Sequence, residues 1–318
     1  MNQTTDRLTV GVDLGGTNLR IGLVDYSGAV IEVHEQSSIG TADELIEIIV
    51  QKINAWGSNN AIQSVGVGVA GMIDYEGVVH YAPNLPEFTG VPLQPRLAQR
   101  LDYPVAVDND ANTAAWGEVN HGAAQGYDAA LVITLGTGIG GGVIVGGQIY
   151  RGAHGFAAEV GHWQFDPAGP LCACGGRGHW EAMASGSALG RMAQEQAAAG
   201  NAPALLALVD GDAHSLTGHH VVQALATSDE VAQSIWTQFT RAVGVGLAGL
   251  INLFDPSVVV ISGGLVVLGE VLLNPIASVV AEEIEGSQYR SEVQILPAVL
   301  GDQAGLVGAA AMARDLVP

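Results

Sequence analysis

The chain has 318 residues, with 11 Lys and Arg against 32 Asp and Glu, a formal charge of −21 and an isoelectric point near 4.5. At roughly 150 residues per domain, this length suggests two domains, each able to bury its own core. So acidic a surface argues against nucleic acid and anionic membranes as partners, since both need a basic footprint, and two cysteines exclude a disulfide scaffold.

The amino terminus, MNQTTDRLTV, lacks the charged-then-apolar succession of a secretion signal. A strand over 8–13 then runs into the turn LGGTN, and strands over 19–25 and 29–34 follow. A helical pattern at 42–56 holds Lys52, the only lysine. That count excludes a P-loop ending in Lys-Ser/Thr and argues against lysine-nucleophile and Schiff-base chemistry. VGVGVAG (65–71) is a strand running into glycine, and a strand over 105–107 precedes Asp108-Asn109-Asp110 and a helix at 111–120.

Near residue 131 the opening pattern returns: LVIT, the turn LGTGIGG, the strand VIV, a Gly-Gly turn, then QIY. Leu14-Gly15 and Leu135-Gly136 align at an offset of 121 residues, and VVVISGG (258–264) pairs with VGVGVAG. An internal duplication is the simplest source of this repetition. Further helices are expected at 181–199, 231–253, 270–285 and 303–315. The segment 198–228 is expected to be an insertion without chemistry, and its His219-His220 pair a solvated surface feature. The apolar stretch 258–281 is broken by Gly263, Gly264, Glu270, Asn274 and Pro275, so it suits strand, turn and helix and not a membrane span. The expected product is a soluble cytoplasmic protein with two α/β domains, mixed sheets and a cleft between them.

Glycine, at 44 residues, has about twice its usual share and gathers where strands turn. In DLGGTN (13–18) and LGTGIGGG (135–142), missing Cβ atoms let consecutive backbone N–H groups approach an oxyanion, and Thr17 and Thr137 add hydroxyl donors. Asp13, at a strand end, can hold Mg²⁺ against bound phosphates. In the DNDAN cluster, Asp108 and Asp110 are both eligible to accept a proton from an alcohol, and spacing does not choose between them. The densest chemistry is AAEVGHWQFDPAGPLCACGGRGHWEAMASG (157–186). His162, Cys172, Cys174 and His179, at separations of ten, two and five, can close a tetrahedral Zn²⁺ site. Such a clip would fix the directions of Glu159, His162 and Glu181, which suits a polyol.

DLGGTN, DNDAN, LGTGIGGG, EVGH and CACGGRGHWEA together resemble the ROK family of sugar kinases, and within it the ATP-dependent glucokinases. LFDPSVVVISGG (253–264) is similar to that family's second signature, so the likeness spans nearly the whole chain. The resemblance implies a duplicated actin-like (ribonuclease H-like) fold, with residues 1–118 and 303–318 in a smaller domain and 119–302 in a larger one, usually as a homodimer. It implies ATP-dependent phosphorylation of glucose at the 6-hydroxyl. Carried over by residue, Asp110 matches the general base, and Asn109, Glu159, His162, Glu181, Asn84 and Gly71 match sugar-binding positions. Asp13, Gly15, Gly16, Thr17, Thr137 and Gly138 match the ATP-Mg²⁺ site, Gly263 and Gly264 the adenosine side, and Cys172 and Cys174 zinc ligands. Alternatives are a kinase for fructose, mannose, N-acetylmannosamine or N-acetylglucosamine, or a sugar-responsive regulator without catalysis. Two departures stand out: His179 replaces the usual third Cys, and Ala158 the usual Gly before Glu159.

Overall fold

Runs such as LTVGVDL and IQSVGVGV carry too few polar side chains to expose either face, which suits interior strands covered on both sides. In the computed structural model, which describes residues 7–317, both are interior strands. In chain order the elements are β1 (Leu8–Leu14), β2 (Asn18–Val24), β3 (Val30–Ser37), α1 (Ala42–Gly57), β4 (Ile62–Val69), β5 (Met72–Ile73), β6 (Val78–Tyr81), β7 (Val91–Pro92), α2 (Leu93–Ala98), β8 (Val105–Asn109) and α3 (Asp110–His121). There follow β9 (Ala130–Leu135), β10 (Ile139–Val145), β11 (Gln148–Ile149), α4 (Trp180–Ala184), α5 (Gly186–Ala198), α6 (Pro203–Ala207), α7 (Gly218–Leu225), α8 (Glu230–Phe254), β12 (Val258–Ser262), α9 (Glu270–Glu283), β13 (Gln294–Pro297) and α10 (Ala304–Arg314). Among the described residues no helix is long and apolar enough to cross a membrane.

The first sheet has the order β3-β2-β1-β4-β8 and the second β11-β10-β9-β12-β13. Numbered within each half, both read 3-2-1-4-5. β1, β2 and β3 form an antiparallel meander, while β1, β4 and β8 are parallel. In the second sheet β10 and β11 are likewise antiparallel, and β12 and β13 parallel. The duplication expected from two glycine turns is therefore written in the topology, in the two-sheet arrangement that the resemblance implies. A small sheet, β5-β6-β7, was not foreseen.

The chain divides into two compact units, one of residues up to Val132 with Gly141–Ala158 and Ala298 onward, the other of Ile133–Gly140 and Glu159–Pro297. Residues 119–132, 141–158 and 298–302, grouped with the second domain on sequence, pack in the first unit.

In the first unit, Val10, Val12, Val65 and Val67 face the apolar side of α1, with Leu45, Ile49, Ile53 and Trp56. Strand alternation turns Gly11 and Gly66 to the opposite face. There a Cβ would overlap the carbonyl oxygens of Leu306 and Ala309, so α10 lies directly on the strands. Glu118 of α3, fully buried, accepts backbone N–H groups from Ala123, Val299 and Leu300 and ties the returning chain to that helix. In the second unit, Trp180 is fully buried and donates its ring N–H to the Ala242 carbonyl of α8 at 2.9 Å.

Two boundaries differ from the sequence pattern. The helix expected over 181–199 is broken at Ser185, whose hydroxyl caps α5 by accepting the Ala188 N–H. The second glycine turn is only Gly136–Gly138, and Gly140–Gly142 are strand. Gly142 serves packing there, because a Cβ would overlap the methyl of Ala115 in α3.

Candidate active site

The first glycine turn joins β1 to β2 in three residues, closed by the Gly15 N–H on the Asn18 carbonyl at 3.0 Å. Gly16 packs against Asn84: a Cβ on Gly16 would lie 2.7 Å from that of Asn84. The APNLP segment is thus held against the turn. Asp13 is the penultimate residue of the same strand. Burial pushes its carboxyl above the usual carboxylate range, with Arg20 opposing the shift and Glu35 adding to it. An oxygen donor penalised in this way is one that a cation would relieve, so Asp13 fits a magnesium-facing role.

Asp108 and Asp110 look alike in sequence and differ in surroundings. Asp108 is buried, and its Oδ2 accepts from Arg151 Nε at 2.6 Å. Its Oδ1 accepts from the Asn109 backbone N–H at 2.7 Å and from Asn112 Nδ2 at 2.9 Å. Both oxygens are committed to holding the strand end. Asp110 is half-buried, takes the Ala111 N–H at 2.9 Å and sits in the first turn of α3. Between them, Asn109 caps α3 by accepting the N–H groups of Ala111 and Asn112, and its amide donates to the Gly71 carbonyl at 2.9 Å. Gly71 and Asn109, paired on sequence as sugar-binding candidates, therefore touch.

The second glycine turn is gripped from α5. The Gly186 N–H donates to the Gly136 carbonyl at 2.8 Å and the Ser187 N–H to the Thr137 carbonyl at 3.3 Å. Since a trans peptide points its N–H opposite its C=O, the N–H groups of Thr137 and Gly138 are aimed away from α5. Gly263, with φ 94°, fits against the Leu135 carbonyl where a side chain would collide. Beside this turn opens a cavity of about 610 Å³, lined by Gly136, Thr137, Ser187, Thr217, His219 and Gly264 among others. This adds a place in the fold to segment 198–228, to which the sequence assigned no chemistry. The segment forms α6, a 3-10 turn and all of α7, and its Leu216–His219 stretch walls the cavity. His219 stays exposed yet faces that space, while His220 Nδ1 accepts the Thr217 N–H at 3.0 Å. The helices of the segment are legible in its sequence, but the cavity wall depends on contacts that its Gly and Asp punctuation does not signal.

In the same unit, donor atoms of His162, Cys172, Cys174 and His179 all lie within 4.8 Å of one another. Cys172 Sγ is 3.8 Å from His162 Nδ1, and Cys174 Sγ is 3.2 Å from His179 Nδ1. A tetrahedral zinc site with bonds of about 2.0–2.3 Å has edges of roughly 3.3–3.8 Å, which these two pairs approach, and a bound ion would draw the wider separations in by up to about 1 Å. The tight turn places them: the Cys172 N–H donates to the Gly176 carbonyl and the Gly175 N–H to the Cys172 carbonyl. Burial pushes the Cys172 thiol up to about 11, with Glu181 among the groups that raise it. Glu181 Oε1 is 3.4 Å from that sulfur, and Oε2 accepts the Ile139 N–H at 3.0 Å. Glu159 keeps an exposed face, yet the protein around its carboxyl pushes it above the usual range, with His162 opposing and Glu181 adding.

Known proteins carry the same pattern. Residues 9–316 match the model of the ROK family. A glucokinase from Streptomyces coelicolor is 40% identical over 314 residues, covering 98% of this chain and 99% of that protein. A glucokinase from Thermotoga maritima is 34% identical, covering 97% and 98%. The crystal structure of a ROK family glucokinase from Streptomyces griseus, in complex with glucose and AMPPNP, is 42% identical with a TM-score of 0.83, covering 97% of this chain and 99% of that one.

Proposed function

Because the chain belongs to the ROK family, we propose that it is a glucokinase, transferring the γ-phosphoryl group of ATP to the 6-hydroxyl of glucose. The observation that carries this is the pair Asn109-Asp110: a half-buried carboxylate at a helix start, beside an amide anchored on Gly71. Asp110 accepts the hydroxyl proton as the sugar oxygen bonds to phosphorus and the bond to ADP breaks. The products are glucose 6-phosphate, ADP and a proton. Asn109, Glu159, His162, Glu181, Asn84 and Gly71 orient the ring.

The N–H groups of Thr137 and Gly138, with Gly15, Gly16 and Thr17 from the first turn, receive the phosphates, and Gly263 and Gly264 face the adenosine. The 610 Å³ cavity beside the second turn supports this, being apolar and large enough for a base. Asp13 would hold Mg²⁺, which neutralises charge on the transferring phosphates. His162, Cys172, Cys174 and His179 would hold a structural Zn²⁺. His162 has two ring nitrogens, so binding metal through Nδ1 leaves Nε2 for a sugar hydroxyl. A cytoplasmic homodimer completes the reading.

The test is ADP release from Mg-ATP with glucose, mannose, fructose, N-acetylglucosamine and N-acetylmannosamine. Strong preference for glucose is expected. Activity on another sugar alone would overturn the substrate and keep the chemistry. No activity with any, from folded protein, would leave a sugar-responsive regulator as the better reading.

A further inference from the structure

Glu181, in the first turn of α4, faces two structures at once. Its Oε2 holds the Ile139 N–H at the base of the second glycine turn, and its Oε1 approaches Cys172 of the metal cluster. The other side of that turn hangs on the N–H groups of Gly186 and Ser187. A loop of three residues tied at both ends has one orientation for its remaining amides. Without an acceptor at Glu181 the Ile139 N–H is unpaired, and the Gly138–Ile139 peptide is held only by the bond from the Gly136 N–H to the Gly138 carbonyl at 3.0 Å, so this end of the turn loosens.

We infer that Glu181 is a positioning residue for the nucleotide, in addition to facing the sugar: by holding Ile139 it aims the Thr137 and Gly138 N–H groups at the phosphates. Gly138 belongs to the same device. Its φ lies outside the left-handed region, so backbone twist does not demand glycine there. A Cβ would instead overlap Glu181 Oε2. This rests on the second turn being a phosphate site, and the experiment separates the two ideas.

Binding of Mg-AMPPNP, measured by calorimetry without sugar, should weaken about tenfold in Glu181→Ala, the typical effect of one orphaned N–H. Glu181→Gln keeps a carbonyl that can accept from Ile139, so nucleotide affinity should stay within about threefold of wild type while glucose affinity falls. Gly138→Ala should weaken nucleotide binding in wild type and add little in the Glu181→Ala background. Equal nucleotide affinity in wild type and Glu181→Ala would overturn the inference. So would additive effects in the double variant, or a chelated wild type that binds as weakly as Glu181→Ala, which would assign the effect to the metal cluster. If Glu181→Ala does not fold, the Gln variant decides, and loss of nucleotide affinity matching that of Gly138→Ala refutes it. Failure of wild type itself to bind Mg-AMPPNP would bring down the phosphate-site reading first, and this inference with it.

Discussion

Asp108 and Asp110 stand two residues apart and are equivalent by type, so their neighbours decide their roles. Arg151, Asn112 and a backbone N–H occupy both oxygens of Asp108, and a carboxylate so engaged holds structure. Replacing Asp110 by Asn keeps shape and a hydrogen-bonding oxygen but removes the proton acceptor. Turnover should fall by roughly 10² or more, with glucose affinity retained in a direct binding measurement; near-normal kcat would remove Asp110 from the mechanism. Ala158 is the other residue-scale case. The family resemblance marks it as an Ala where Gly is expected, and the backbone explains why Gly would suit: φ is 70°, a conformation costly for any residue with a Cβ. Ala158→Gly should therefore stabilise the protein by about 1 kcal/mol in denaturant unfolding, since relief of strain exceeds the entropy that glycine adds to the unfolded chain. An unchanged or lower midpoint would show that the neighbouring chain already absorbs the strain.

The elements of the first unit are held by a helix that lies against bare strands. At Gly66 a Cβ would overlap the Ala309 carbonyl of α10, a backbone atom that cannot step aside as a side chain can. Gly66→Ala is expected to cost about 3 kcal/mol or more, at the upper end of overpacking, read as a drop in unfolding midpoint. The end of α10 is pinned by Arg314, which donates to the carbonyls of Asp25 and Tyr26 and to His121 Nε2 at the end of α3. Burial, and then the Arg314 charge, hold His121 below its usual pKa. A base depressed on folding gives stability that is complete above the ordinary histidine range near 6.5 and is lost as pH falls through the lowered value. Unfolding midpoints should drop between pH 7.5 and 5, and His121→Gln, which can still accept from Arg314, should show a shallower drop; identical slopes would clear His121. Most elements were legible because their apolar periods are long: the strand triplets, α1, α8 and the return of the pattern near residue 131. What escaped depends on contacts. Ser185 is of a type that caps helices, but the helical pattern runs on through it, so its sequence alone does not mark a break, and the glycines of IGGG look like turn until α3 is seen against Gly142. The cavity wall at 216–219 is invisible in a stretch that reads as helices broken by Gly and Asp, because no local signal says which face meets the second glycine turn.

At the scale of the molecule, composition sets how charge acts. Among the described residues, eight Lys and Arg side chains form ion pairs, most of them at the surface. Exposed pairs of this kind are worth about 0–1 kcal/mol each. Against them stands a net charge of −21, which leaves most carboxylates repelling one another across the surface. Screening shortens the reach of both, to about 10 Å at 0.1 M salt, but repulsion is the longer-ranged and loses more. Contact pairs such as Arg241 with Glu283 at 2.7 Å keep more of theirs. Melting temperature should therefore rise as monovalent salt increases from about 0.01 M to 0.3 M, within the range where Debye screening is still changing. A chloride and an acetate series at the same ionic strength should give the same rise, because the effect belongs to screening and not to a bound ion. A flat or falling melting temperature would mean that the surface pairs, and not the unpaired carboxylates, dominate the electrostatics of this fold.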